Sequence, residues 1–151
     1  TVKADGRWRL FVFADADDPT APTSGMKALC EFLGGRADSP LRRYTLPDAD
    51  IDSIIDVRAI IQQHHRAVAL ETMPDILLPR KGRYGLVDYE KIFCPDLKSG
   101  NDIFDMRGVD RAQGCIVIVR PDQHVAHVLP LDGYAELTGF FDGFLLPPDR
   151  L

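Results

Sequence analysis

The sequence predicts an α/β fold, a central mixed sheet flanked by helices. Three observations carry that expectation. An apolar β-rich run opens the chain (Trp8 to Ala14), a helix with one apolar face follows it, and a strand–turn–strand–helix pattern closes the chain. Period-two and period-3.6 patterns that alternate along one chain describe helices packed on a sheet.

Taken in order, Trp8 to Ala14 (WRLFVFA) reads as a strand buried on both faces, broken by Asp15, Asp17, Asp18 and Pro19. A helix is expected from Ser24 to Leu33, because Met26, Leu29, Cys30 and Leu33 fall on one face. Thr23 or Ser24 can cap its start, and Gly34 and Gly35 supply its stop. Residues 36 to 53 read mostly as loop, with a short strand at Leu41 to Leu46. Ile54 to Ile61 fits helix or strand by pattern. Its β-branched content favours a strand with Ile55, Val57, Ala59 and Ile61 on one side. Pro74, Pro79, Gly82 and Gly85 keep the elements between residues 74 and 90 short.

Lys91 to Cys94 reads as a short strand stopped by Pro95, and Asn101 or Asp102 caps a two-turn helix ending at Gly108. Cys115 to Val119 is apolar on both faces, which predicts a central strand. Pro121-Asp122-Gln123 makes a turn, and His124 to Leu129 returns antiparallel. Asp132 is expected to cap a last helix whose apolar stripe is Tyr134, Leu137, Phe140, Phe141, Phe144 and Leu145, ended by Pro147 and Pro148. A β-α-β opening with a closing hairpin and helix describes a thioredoxin-like layer fold.

Bulk properties narrow the function classes. At 151 residues the chain is expected to be a single domain, long enough to bury a core without metals or disulfides. A net charge of −5 argues against a nucleic-acid partner. The short basic run Arg80, Lys81 and Arg83 reads as a solvated loop. Three cysteines at wide spacing (Cys30, Cys94, Cys115) make no disulfide framework, so a cytoplasmic location is expected. There is no apolar run long enough to span a membrane, and the opening residues do not read as a signal peptide. The chain begins with Thr1, not Met, and reads as a piece of something longer.

Catalytic readings find little support in the residues. A thioredoxin active site places a CxxC where the first strand meets its helix. That segment here is ADADDPTAPTSGM, without cysteine, and its aspartates would raise a thiol's pKa. A peroxiredoxin pattern laid on Pro19 and Thr23 lands on Met26, and Arg111 to Gly114 stand where thioredoxins carry a proline before the third strand. His124 and His127 form HxxH, but three residues along a strand put them on opposite faces. The adjacent His64 and His65 diverge as well in an extended segment. Neither pair reaches one metal ion. Asp48, Asp50 and Asp52 read as turn formers and solubilisers. No catalytic, cofactor-binding or metal residues are therefore expected. Three residues stand as candidate interface positions: Arg120, which can clamp a carboxylate or simply bind Asp122, and Gly139 and Gly143, four apart on the last helix, where two glycines let another backbone approach.

The segments DGRWRLFVFAD, DYEKIFCPD, RGVDRAQGCIVIVRPDQHVAHVLPLD and ELTGFFDGFLLP resemble the C-terminal domain of the phenol hydroxylase family of FAD-dependent aromatic monooxygenases, over about residues 5 to 148. The VRPDQ-V turn in its setting is the most specific element. The resemblance implies a non-catalytic thioredoxin-like domain that serves homodimer contacts and packs on the catalytic part. It implies FAD and NAD(P)H sites in upstream domains of the same polypeptide, and a parent reaction that hydroxylates a phenol or hydroxybenzoate with O₂. No GxGxxG or other flavin fingerprint occurs in this sequence. The rival readings are a stand-alone thiol protein of the thioredoxin or peroxiredoxin class and a small-ligand binding module.

Overall fold

The computed structural model describes residues 5–63, 69–94, 104 and 108–147. Five strands form one mixed sheet: β1 (Trp8–Phe13), β2 (Ile55–Ile60), β5 (Ile92–Phe93), β6 (Cys115–Val119) and β7 (Val125–Leu129). Their spatial order is β5-β2-β1-β6-β7. β1 runs parallel to β2 and antiparallel to β6, and β6 runs antiparallel to β7. This is the thioredoxin-like arrangement, with β5 added parallel to β2 at the far edge. A separate two-stranded ribbon pairs β3 (Arg80–Lys81) with β4 (Leu86–Val87).

The main core lies on one face of the sheet. Leu10 and Val12 of β1 stand beside Val57 and Ala59 of β2 and beside Ile118 and Ile116 of β6. Helix α1 (Gly25–Gly35) lays Met26, Leu29, Cys30 and Leu33 on that face, all fully buried. Helix α3 (Tyr134–Asp142) adds Leu137 and Phe141. A smaller cluster of Phe13, Ile60 and Phe104 occupies the opposite face. The helix expected between residues 101 and 108 lies, apart from Phe104 and Gly108, outside the described residues, as do His64, His65, Pro95 and Pro148.

Several expectations need correction. Leu41 to Leu46 is not a strand: Pro40–Tyr44 forms a short helix, α2. Pro40 sits in its first turn, Ser39 accepts from the Arg42 amide, and Leu41 and Tyr44 meet the core three residues apart. Gly34 and Gly35 do not stop α1 with a left-handed turn, since both belong to the helix and neither has positive φ. Its last carbonyls are instead taken by Ser39 Oγ, which donates to Leu33 O at 2.7 Å, and by Arg42 Nε, which donates to Gly34 O at 2.7 Å. Asp132 does not cap α3: Gly133 is the N-cap residue, and the Gly133 amide bonded to Pro130 O shifts the helix start by one. β6 is interior but next to the edge, and β1 holds the centre.

The ends of the hairpin follow expectation. Gln123 N–H donates to Arg120 O at 2.8 Å, and Arg120 N–H donates to His124 O at 2.9 Å, closing the Pro121-Asp122 turn. Gln123 takes φ of 70°, the left-handed position that ends such a turn.

Candidate interaction surface

Three places gather polar or exposed groups. The first is the junction of β1 and α1, where thiol enzymes of this fold place their cysteine. Asp15 stands there instead, nearly buried. Its carboxylate accepts from Gly25 N–H at 3.0 Å and Met26 N–H at 3.3 Å, while Ser24 Oγ accepts from Lys27 N–H at 3.1 Å. The free amides of the helix start are thus already satisfied by an anion built into the chain. Cys30 lies in the next turn of the same helix, and burial pushes its thiol up to about 12. Burial raises the Cys94 and Cys115 thiols as well.

The second is a charge cluster on the opposite sheet face, which the sequence reading missed. Arg9 stands beside Asp56 in the β1–β2 register, and both are buried. Lys91, 1% exposed, bridges Asp52 and Asp56, with Nζ 2.6 Å from Asp52 Oδ2. Arg58 Nε donates to Asp56 Oδ2 at 2.9 Å, Arg7 reaches Asp52 at 3.2 Å, and Lys81 reaches Asp52 at 2.8 Å. Asp52 is therefore no solubiliser, and Lys81 does not sit in a merely solvated loop. Asp5 pairs with Arg7 and Arg9, and Asp88 with Lys81 and Lys91. Five cations thus face four carboxylates among the described residues, a structural clamp joining β1, β2, the start of β5 and the β3–β4 ribbon. The one signal in the sequence was a charged residue at the second position of each strand, Arg9 in WRLFVF and Asp56 in IDVRAI.

The third is an open groove of about 720 Å³ beside the β6–β7 turn. Trp8, Phe140, Phe144 and Val125 line it together with Arg120 and Pro121. Trp8 meets Phe140 edge-on at 5.6 Å and packs on Phe144 at 5.6 Å. Such an aromatic cluster is normally interior, yet Phe144 is 65% exposed. Beyond the groove β7 is an outer strand, and four of its five residues are exposed, Val125 and Val128 among them.

Of the candidate interface residues, Arg120 lines this groove. Its guanidinium is held by Asp122 Oδ2 at 2.6 Å. Gly139 and Gly143 are exposed on α3 and not part of the groove lining, and a Cβ on Gly139 would meet nothing within 4 Å. The two histidines are separated: His124 projects from the turn near Asp122, and His127 stacks on Phe140. Among the described residues no three histidines, cysteines or carboxylates converge to hold a metal ion. No helix among them is long and apolar enough to cross a membrane.

A family model described as "Phenol hydroxylase, C-terminal dimerisation domain" matches residues 1–149. The chain belongs to this family. Among curated relatives it is 58% identical over 144 residues to the 3-hydroxybenzoate 4-monooxygenase of Comamonas testosteroni. It is 34% identical over 148 residues to the FAD-dependent monooxygenase terD of Aspergillus terreus. Each match covers 95% of this chain but only 22% and 24% of the respective relative. The chain thus spans under a quarter of the length of the relatives it matches. Membership in the dimerisation-domain family agrees with a surface whose apolar part is at the groove and β7. A flavin dinucleotide would find no fit at α1, because its pyrophosphate would meet the Asp15 carboxylate where it needs free amides.

Proposed function

We propose that this chain is a single domain over residues 1–151, the C-terminal assembly module of a larger FAD-dependent aromatic monooxygenase. The larger protein hydroxylates a phenol or hydroxybenzoate with NAD(P)H and O₂, and the relative named 3-hydroxybenzoate 4-monooxygenase favours the hydroxybenzoate. The module itself is non-catalytic. FAD and NAD(P)H are held by upstream domains of the same polypeptide, and the flavin carries the oxygen chemistry there. The assembly is a cytoplasmic homodimer, and three free thiols agree with a reducing compartment.

The observation that carries this reading is the pairing of a closed β1–α1 junction with an uncovered apolar groove and edge strand. The place where this fold does chemistry is plugged by Asp15, and the apolar side chains left uncovered lie at the groove and on β7. A thiol-enzyme reading is disfavoured by the same junction and by the buried Cys30. The test is titration of the purified chain with FAD, followed by flavin fluorescence, with an assay for hydroxylation of 3-hydroxybenzoate. Neither quenching nor product is expected. A chain that binds flavin stoichiometrically sinks the proposal.

A further inference from the structure

We infer that the self-association surface is the free edge of β7, which adds antiparallel to β7 of a second copy and joins two five-stranded sheets into one, with the aromatic groove beside it as the apolar part of the contact. This rests on the dimerisation reading above and locates it on the molecule.

The backbone makes the first argument. Among the described residues β7 pairs only with β6, so its outer side presents amide and carbonyl groups to whatever comes next. Edge strands that must stay alone are guarded by lysine, proline, inward charges or extreme shortness. β7 has five residues, VAHVL, and none is a lysine, arginine, aspartate, glutamate or proline. The other edge of the sheet, β5, has only two residues, and the Arg58 guanidinium lies 5.9 Å over the Phe93 ring. β7 carries one irregularity, a register shift where His127 faces Ile118 and Val125 faces Val119. It remains the longer and less guarded edge, the one that takes a partner.

The side chains make the second. Val128 stands opposite Val117 on one face of the sheet, and Val125 lines the groove on the other. Both are more than half exposed, at 54% and 62%. A strand docked on this edge would cover apolar side chains above and below the sheet as well as the backbone. A five-residue ladder by itself buries less than the roughly 800 Å² per partner of a standard interface. The exposed Phe144 beside Trp8 and Phe140 supplies further apolar area next to the strand.

The family's dimerisation role selects a second copy as the occupant, and charge favours one direction. One end of β7 carries the Arg120–Asp122 ion pair, 2.6 Å long, with His124 beside it. The other end is followed by the exposed carboxylates of Asp132 and Glu136. Antiparallel addition of the same strand sets the Arg120 end of each copy beside the Asp132 end of the other. Parallel addition would set like ends together. A two-fold axis generates the antiparallel arrangement and repeats each contact twice.

The test is sedimentation equilibrium of the chain and three variants, each checked for fold by circular dichroism and thermal melting. The wild type is expected to be a dimer. Val128→Lys and Ala126→Lys, which place a charge on the exposed strand, are expected to weaken association at least tenfold with unchanged spectra. Leu86→Lys, on the exposed β3–β4 ribbon, is expected to leave the dimer intact. Hydrogen exchange across a dilution series adds a readout that folding defects cannot imitate: β7 amides should lose protection as the dimer dissociates, while β1 amides should not. A wild-type dimer whose β7 amides ignore dilution, or that survives both lysine substitutions, overturns this surface and leaves dimerisation standing. A wild type that remains monomeric at its highest soluble concentration overturns both.

Discussion

The Lys91 ammonium lies 2.6 Å from the Asp52 carboxylate, and the two residues are 1% and 3% exposed. Lys91 also bridges to the fully buried Asp56. Removing the cation leaves two carboxylates out of water with one partner fewer each. Lys91→Met should therefore lower stability by about 3–5 kcal/mol, read as a fall in the urea midpoint. A change below about 1 kcal/mol would mean that solvent already screens the cluster.

The same cluster sets the acid limit of stability. Burial pushes the Asp52 carboxyl up, but hydrogen bonds from Lys81 and Lys91 outweigh it and hold it below the ordinary 3.8. Burial likewise acts on Asp88, where the Glu90 amide and Lys81 win and the net direction is down. A group depressed in the folded state stabilises fully above its unfolded pKa, and the contribution is lost as pH falls through the folded one. Lys81 behaves oppositely: burial lowers it, Asp52 and Asp88 raise it above 10.5, and its contribution is lost above that pH. The melting temperature should hold between these limits and fall below about pH 4. Asp52→Asn should flatten the acid limb of the melting-temperature profile. An acid limb as steep as that of the wild type would exclude Asp52 as its source.

Gly114 is fixed by its surroundings. Its φ is +64°, and a Cβ there would lie 2.2 Å from Phe13 O. Gly114→Ala combines left-handed strain with a clash against the centre strand. It should cost about 3 kcal/mol or more, measured by thermal or urea unfolding.

Gln123 bears the opposite relation to its backbone. It occupies φ of 70° at the exposed hairpin tip without a steric reason for a side chain. Gln123→Gly relieves that strain and should stabilise the chain by about 0.5 kcal/mol after the added flexibility of the unfolded state is subtracted. A loss of stability would show that the Gln123 side chain contributes something the backbone geometry does not reveal.

The thiols offer a test of the rival function. With Cys30 pushed up to about 12 by burial, a thiol reagent at neutral pH should modify it only as fast as the protein opens. Its rate should rise by orders of magnitude in denaturant. A Cys30 that reacts in seconds in the native state would restore the redox reading.

Much of the sheet was legible because its strands carry continuous apolar runs or turn signals that no helix shares. Cys115–Val119 and the Pro121-Asp122 turn are set by local chemistry alone, and they form where the pattern places them. The region from Leu41 to Leu46 was not legible, because a five-residue helix is held by Ser39 and by contact with α1, not by its own periodicity. The charge cluster was hidden for a related reason. Arg9, Asp52, Asp56 and Lys91 are spread over 83 positions, and nothing local says that their charges cancel. Arg120 was legible as an exposed turn residue, but its place on an aromatic groove depends on Trp8 and Phe144 arriving from the two ends of the chain.

The sequence by itself determined the element types outside the Leu41–Leu46 region, the mixed sheet and the absence of a cysteine where this fold would use one. Those follow from side-chain periodicity and from residues that are simply not there. Only the tertiary structure decided which polar groups are buried and which apolar ones are not. Asp52 and Val128 exchange the roles that their chemistry alone would assign, because burial is a property of what packs nearby: counter-charges surround the aspartate, and among the described residues no strand covers the valine.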